Sequence, residues 1–159
     1  MLTVFMFIGS LNFSLYYLTA RGVFKPLLAN TECRVFFFII IVAGILVSVS
    51  LALAGSYQSP LTAIRHAYFQ VVSVISTTGL TTANWEQWPH FSQGVLFVLF
   101  FIGGCSGSTS GGMKCVRWVL LFKGLHRTLR QHIHPRAVIP VRLGGQAVPE
   151  TMMTAVWSF

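Results

Sequence analysis

The chain has very few acidic residues. Among its 159 residues there is no aspartate, and the only glutamates are Glu32, Glu86 and Glu150. All three are expected to lie outside the membrane spans, which leaves no carboxylate within a span to act as an acid–base partner. This argues against one candidate class, a membrane-embedded enzyme that uses Cys105 or the histidines.

Cysteine is also scarce. Cys33, Cys105 and Cys115 form no C-x-x-C pair, which argues against both a disulfide framework and a zinc site. The histidines of the basic segment have no nearby carboxylate or cysteine to complete a metal site, and they are interpreted as interfacial residues: His126, His132 and His134.

Apolar residues dominate instead. They make up 54% of the chain, charged residues only 9%, and the mean hydropathy is +0.71, values that soluble domains rarely reach. Three charge-free runs are each long enough to cross a bilayer as a helix: Met1–Ala20, Val35–Ile64 and Gln87–Met113. The sequence therefore indicates an all-α integral membrane protein. The first run lacks the features of a signal peptide and the last apolar segment is cut short, so we expect a fragment of a longer protein.

Basic residues determine the predicted topology. The net charge is +8, and seven of the eleven Lys and Arg residues lie between Lys114 and Arg142, while Arg21, Lys25 and Arg34 share an earlier loop. We interpret both clusters as cytoplasmic loops rather than a nucleic-acid site, and this requires residues 59–82 to enter and leave on the outer side. The predicted order is an inward helix (1–20), an outer helix (35–55), a re-entrant pore helix and filter (59–82), an inner helix (91–125) broken at 103–112, a cytoplasmic linker (126–150) and the start of another repeat (151–159).

The most unusual segment is the glycine-rich stretch 103–112. Twelve helical residues from Phe91 rise about 18 Å, so this stretch begins about halfway across a hydrocarbon core of about 30 Å. Irregular backbone at that depth is tolerated only inside protein or along a water-filled cavity, which indicates a pathway or gate. Lys114, which follows it, either extends to the interface or contacts the gate. The alternative is a membrane scaffold or assembly protein, in which Gly103, Gly107 and Gly111 pack a continuous helix.

A second pattern predicts a short helix that ends inside the membrane. Ser59-Pro60 is a typical helix start, and a helix to about Ile75 is too short for a full crossing. Its carbonyl end favours a cation, and the hydroxyl-rich segment 76–82 around Gly79 can turn successive carbonyls toward an ion.

Beyond the glycine stretch, apolar residues at four-residue spacing predict an amphipathic helix that is ended by Pro135. Such a helix either lies on membrane lipid or docks a soluble partner.

These motifs together resemble one family, the membrane subunit of Trk/Ktr-type potassium uptake transporters, in particular its TrkH-like members. Residues 67–73 (AYFQVVS), running into 77–82 (TTGLTT), resemble the third pore loop, and residues 102–114 (IGGCSGSTSGGMK) resemble the intramembrane loop of that repeat. Residues 148–150 before Trp157 resemble the linker into a fourth repeat, so the resemblance covers essentially the whole chain.

The resemblance implies a K⁺-channel-like arrangement of four repeats in a bacterial inner membrane, with K⁺ as the transported ion, no cofactor and no catalytic residues. It implies the remaining repeats of the same subunit, a homodimer and a cytoplasmic nucleotide-binding regulator of the TrkA or KtrA kind as partners. It assigns one quarter of the filter to the carbonyls of Thr77, Thr78, Gly79 and Leu80. It assigns the gate to a loop that includes Gly103, Gly104, Gly107, Gly111, Gly112 and Lys114.

Overall fold

The computed structural model describes residues 1–22 and 30–133 and the backbone of 142–143 and 146–147. Six α-helices occur in that part of the chain: α1 (Leu2–Gly9), α2 (Phe13–Ala20), α3 (Thr31–Leu53), α4 (Pro60–Ile75), α5 (His90–Phe100) and α6 (Cys115–Ile133). Trp85–Gln87 forms a short 3₁₀ turn before α5. Arg142–Leu143 and Gln146–Ala147 form a small antiparallel pair, with Arg142 opposite Ala147. The chain is an all-α membrane protein with this one minor addition.

Helix α3 is the one helix of the described residues that is both long and apolar enough to cross a membrane by itself. Its 23 residues correspond to about 35 Å of helix, more than a hydrocarbon core of about 30 Å. The helix begins after Asn30, whose side-chain oxygen accepts a hydrogen bond from the Glu32 amide at 2.9 Å. Phe36, Val47 and Leu51 are fully buried along one face of this helix.

The inward helix predicted over 1–20 is interrupted in the structure. The structure has α1 and α2 instead, bent by 101° at a short break, so that the pair is either a broken span or a re-entrant segment. The break forms at Asn12, whose backbone is extended (φ −70°, ψ 121°) and whose side chain accepts a hydrogen bond from the Ser14 amide. An asparagine side chain competes with the backbone for local hydrogen bonds, which explains why helix α2 starts anew there.

Helix α4 packs against α3 at a point where the two backbones come close. A side-chain carbon at Gly44 of α3 would lie only 2.4 Å from the Tyr68 ring of α4, so glycine is required for this approach. The C-terminal half of α4 is buried almost without interruption, with Ala67, Val71 and Ile75 fully enclosed. The helix therefore ends inside the packed core, and the segment after Ile75 starts from a fixed position.

The chain between α5 and α6 is not helical. The irregular segment extends over 101–114, four residues longer than the predicted break at 103–112. The continuous helix expected for a glycine-packed scaffold is therefore wrong. Residues 115–133 then form one helix across the predicted boundary at 125/126. Pro135, the predicted end of this helix, most of the linker and all of 151–159 lie outside the described residues.

Candidate functional site

The segment after α4 is held by hydrogen bonds to the last turn of that helix. The Thr77 amide donates to the Val74 carbonyl at 2.9 Å, and the Thr78 amide donates to the Ser73 carbonyl at 3.0 Å. The hydroxyls of Ser76 and Thr78 lie 2.7 Å apart. The Thr77 and Thr78 amides are therefore both hydrogen-bonded, and these bonds fix the segment to a buried helix end.

The carbonyls of the same segment are used differently. Within the described residues, no hydrogen bond ends on the carbonyl of Thr77, Thr78 or Gly79. The Leu80 carbonyl differs, because it accepts a hydrogen bond from the Ser73 hydroxyl at 2.5 Å. All four residues are exposed on this chain. The structure thus presents three adjacent free carbonyls and a fourth that is already engaged.

Two residues of this segment adopt left-handed backbone conformations. Gly79 has φ +74°, and no atom lies within 4 Å of the position that a side-chain carbon would take. Thr77 has φ +55° and is the one non-glycine residue with positive φ in the described part of the chain. A β-branched residue rarely adopts this conformation, which implies local strain of about 1–3 kcal/mol that the surrounding contacts must offset.

The irregular segment 101–114, called here the intramembrane loop, closes on itself. The Gly103 amide donates to the Met113 carbonyl at 2.9 Å, and the Cys115 amide donates to the Gly104 carbonyl at 3.1 Å. A side-chain carbon at Gly103 would lie 2.2 Å from the Gly111 carbonyl oxygen. At Gly104 it would lie 2.5–2.9 Å from the oxygens of Ser10, Ser108 and Ser110. Gly103 is thus required because the two ends of the loop pack backbone to backbone, and Gly104 because the Ser10 carbonyl and two serine hydroxyls occupy the space beside it.

The intramembrane loop is docked on the break between α1 and α2. The Cys105 amide donates to the Ser10 carbonyl at 2.9 Å, and the Phe13 amide donates to the Gly107 carbonyl at 3.2 Å. The Thr109 hydroxyl donates to the Gly9 carbonyl at 3.0 Å. Two irregular segments thereby satisfy each other's backbone groups, which lipid could not do. Gly107 and Gly112 also have positive φ, +73° and +71°.

Lys114 turns back onto the loop. Its ammonium group donates to the Ser108 carbonyl at 3.3 Å and also to the Ser110 carbonyl. Of the two interpretations that the sequence left open, this geometry favours a contact with the loop over extension to the interface.

One hydrogen bond joins the two parts of the site. The Gly111 amide donates to the Thr77 hydroxyl at 2.7 Å, so the strained residue after α4 is bonded directly to the intramembrane loop. The segment that was predicted as a filter and the loop that was predicted as a gate therefore lie against each other.

Sequence reasoning missed Glu32. The expectation that all acids lie outside the spans is wrong for this residue, which is buried in the first turn of α3 beside the loop. Its carboxylate accepts hydrogen bonds from the Ser106 amide at 2.5 Å and from the Val116 amide at 3.1 Å. An acid two residues after a helix-capping asparagine is typical of an exposed first turn, so the sequence held no signal for this burial. In the described residues, no group of three or more His, Cys, Asp or Glu side chains could hold a metal ion.

Comparisons with known proteins agree on one family. The family model described as "TrkH: Cation transport protein" matches residues 1–159. The chain is 38% identical to the Trk system potassium uptake protein TrkH of Salmonella typhimurium, over 99% of this chain and 33% of that protein. It is 35% identical to the Trk system potassium uptake protein TrkG of Escherichia coli, over 98% of this chain and 32% of that protein.

A solved structure is similar in the same way. The crystal structure of the potassium transporter TrkH from Vibrio parahaemolyticus matches with a TM-score of 0.90 and 39% sequence identity, covering 98% of this chain and 34% of that one. The chain thus spans about a third of the length of the relatives it matches. Because the family model matches every residue, the chain belongs to the TrkH family of cation transport proteins.

Proposed function

We propose that this chain forms one repeat of a potassium uptake transporter in a bacterial inner membrane. In this proposal the backbone of residues 77–80 supplies one quarter of a selectivity filter, and the intramembrane loop is the gate beneath it. Membership of a cation transport family favours a transporter over an enzyme. The relatives named potassium uptake proteins favour K⁺ as the ion.

The observation that carries the proposal is the set of three adjacent free carbonyls at Thr77, Thr78 and Gly79. They follow the C-terminus of α4, where the helix dipole favours a cation. An ion that enters a membrane must exchange its hydration shell for other oxygens, and rings of backbone carbonyls supply them in K⁺ channels. Unbonded carbonyls at the edge of a packed membrane protein are costly unless a ligand or water occupies them.

A single repeat cannot surround an ion. The chain spans about a third of its relatives' length, and the exposure of residues 77–80 leaves this edge available to other repeats of the same subunit. We assign the remaining quarters of the filter to those repeats. A homodimer and a cytoplasmic nucleotide-binding regulator of the TrkA or KtrA kind complete the proposed assembly.

The loop's bond to Thr77 supports its role as a gate. A loop that contacts the filter segment is close enough to obstruct ions leaving it, and the small side chains of residues 103–112 permit a compact plug. Individual hydrogen bonds link the loop to Gly9, Ser10 and Thr77, and each nets about 0.5–1.5 kcal/mol, so these links can be broken one at a time.

The test compares two glycines that both have a left-handed backbone conformation. Gly79 and Gly55 both have positive φ and open space around the missing side chain, but Gly55 lies just past the C-terminus of α3 and is not part of residues 77–80. Alanine at either position adds similar strain, about 1–2 kcal/mol. We expect Gly79→Ala in the full-length protein to reduce discrimination of rubidium against sodium in proteoliposomes. Gly55→Ala should leave this discrimination unchanged, and equal ratios in both variants would remove Gly79 from the filter.

A further inference from the structure

Glu32 joins the intramembrane loop to the first turn of α6. One oxygen of its carboxylate accepts hydrogen bonds from Ser106 in the intramembrane loop and from Val116 in the first turn of α6. The residue is only 5% exposed. A carboxylate this buried is stable only where charges or hydrogen bonds compensate for the water it has lost.

The surroundings of Glu32 compensate a negative charge in two ways. The two amide donors form charge-assisted hydrogen bonds, which are stronger than bonds between neutral groups. Val116 lies in the first turn of α6, where the helix dipole is positive and amides lack partners within the helix. Both amide bonds are stronger to a charged carboxylate than to a neutral group, so a neutral side chain would hold Ser106 and Val116 less tightly.

The residues around Glu32 extend the same junction. The Cys115 sulfur lies 4.0 Å from the Glu32 carbonyl oxygen. Cys33, next to Glu32, and Cys105 of the loop both belong to the buried core. Cys105 itself is fully buried. The first turn of α3 thus contacts both the loop and the start of α6. Because Cys105 is buried while the loop is docked, its accessibility to a thiol reagent reports whether the loop has left this position.

We infer that Glu32 is a positioning residue that couples α6 to the intramembrane loop and holds the loop in its docked position. A shift of α6 must either break the Val116 bond or draw the carboxylate away from Ser106, so movement of this helix loosens the loop. The docking role stands on the contacts above. Its consequence for transport rests on the proposed function of the loop as a gate.

The test measures docking separately from transport. Purified full-length protein is treated with N-ethylmaleimide, and modification of Cys105 is followed by site-resolved mass spectrometry of the folded fraction. Glu32→Gln keeps the shape and an acceptor oxygen but removes the charge, and Glu32→Ala removes both. A hydrogen bond to a charged group contributes about 1.5–3 kcal/mol, so we expect Cys105 to react at least about tenfold faster in Glu32→Ala, with Glu32→Gln intermediate.

Glu86→Gln is the matched control, because Glu86 is the exposed acid of the 3₁₀ turn before α5. It should leave Cys105 as protected as in the unaltered protein. Equal rates of Cys105 modification in the Glu32 variants and the control would overturn the inference. So would Glu32 variants that yield less folded protein but leave the Cys105 rate of the folded fraction unchanged. Rubidium flux through the same preparations is read independently. Faster Cys105 modification without higher flux would retain Glu32 as the docking residue and reject the loop as a gate.

Discussion

The hydrogen bond between Gly111 and Thr77 gives the sharpest prediction for the link between loop and filter segment. Thr77→Val removes the hydroxyl that accepts this bond at 2.7 Å and keeps the size and β-branching of the side chain. The strain of the positive φ is therefore similar in both proteins, and the difference isolates the lost bond. The Thr77 carbonyl that we assign to the filter belongs to the backbone and is retained.

The expected size follows from the energy of one hydrogen bond. A net contribution of about 0.5–1.5 kcal/mol corresponds to a shift of about twofold to tenfold in the equilibrium between docked and released loop. If the loop is docked most of the time, basal ion flux should rise by the same factor. We expect Thr77→Val to raise basal rubidium flux per amount of folded protein by about twofold to tenfold, with rubidium still preferred over sodium.

Two companion variants separate the lost bond from other effects. Thr77→Ser keeps the acceptor and should conduct like the unaltered protein. Thr81→Val removes an exposed hydroxyl of the same segment that makes no hydrogen bond within the described residues. This variant should also leave basal flux unchanged. The reasoning is refuted if Thr77→Val leaves basal flux unchanged, or if Thr81→Val raises it equally.

Two further predictions concern the loop contact of Lys114 and the path of the pore segment. Lys114→Met removes the donor to the Ser108 and Ser110 carbonyls and should raise basal flux in the rubidium assay. Lys114→Arg keeps a donor and serves as the control. Equal flux in the two variants would exclude this contact from gating. If residues 59–82 enter and leave on one side, single cysteines at the exposed positions Gln58 and Asn84 should both react with an impermeant thiol reagent from outside, and one at Arg130 only from inside. Labelling of Gln58 and Asn84 from opposite sides would contradict the predicted topology.

Local sequence signals indicate where some elements start. Proline follows a hydroxyl residue at the point where α4 begins, although the Ser59 hydroxyl makes no capping hydrogen bond. The glycines of residues 103–112 cannot favour a helix, and the chain is irregular there. These features depend on residues next to each other in sequence, so the sequence alone is enough to expect them.

The contacts that assemble the site could not be predicted in this way. Asn12 breaks the first helix, and that break then receives the loop from about 95 residues away through the Ser10 carbonyl and the Cys105 amide. The burial of Glu32 depends on Ser106 and Val116, 74 and 84 residues further along the chain. The sequence around each partner is ordinary, so neither local sequence indicates which distant residue it contacts.

The most direct test of the filter is to locate the ion. Crystals of the full-length protein soaked in rubidium or thallium should show anomalous density coordinated by the carbonyl oxygens of Thr77, Thr78 and Gly79, together with those of the other repeats. The Leu80 carbonyl, already bonded to the Ser73 hydroxyl, should contribute least. Density on the pathway that none of these three carbonyls coordinates would contradict the account.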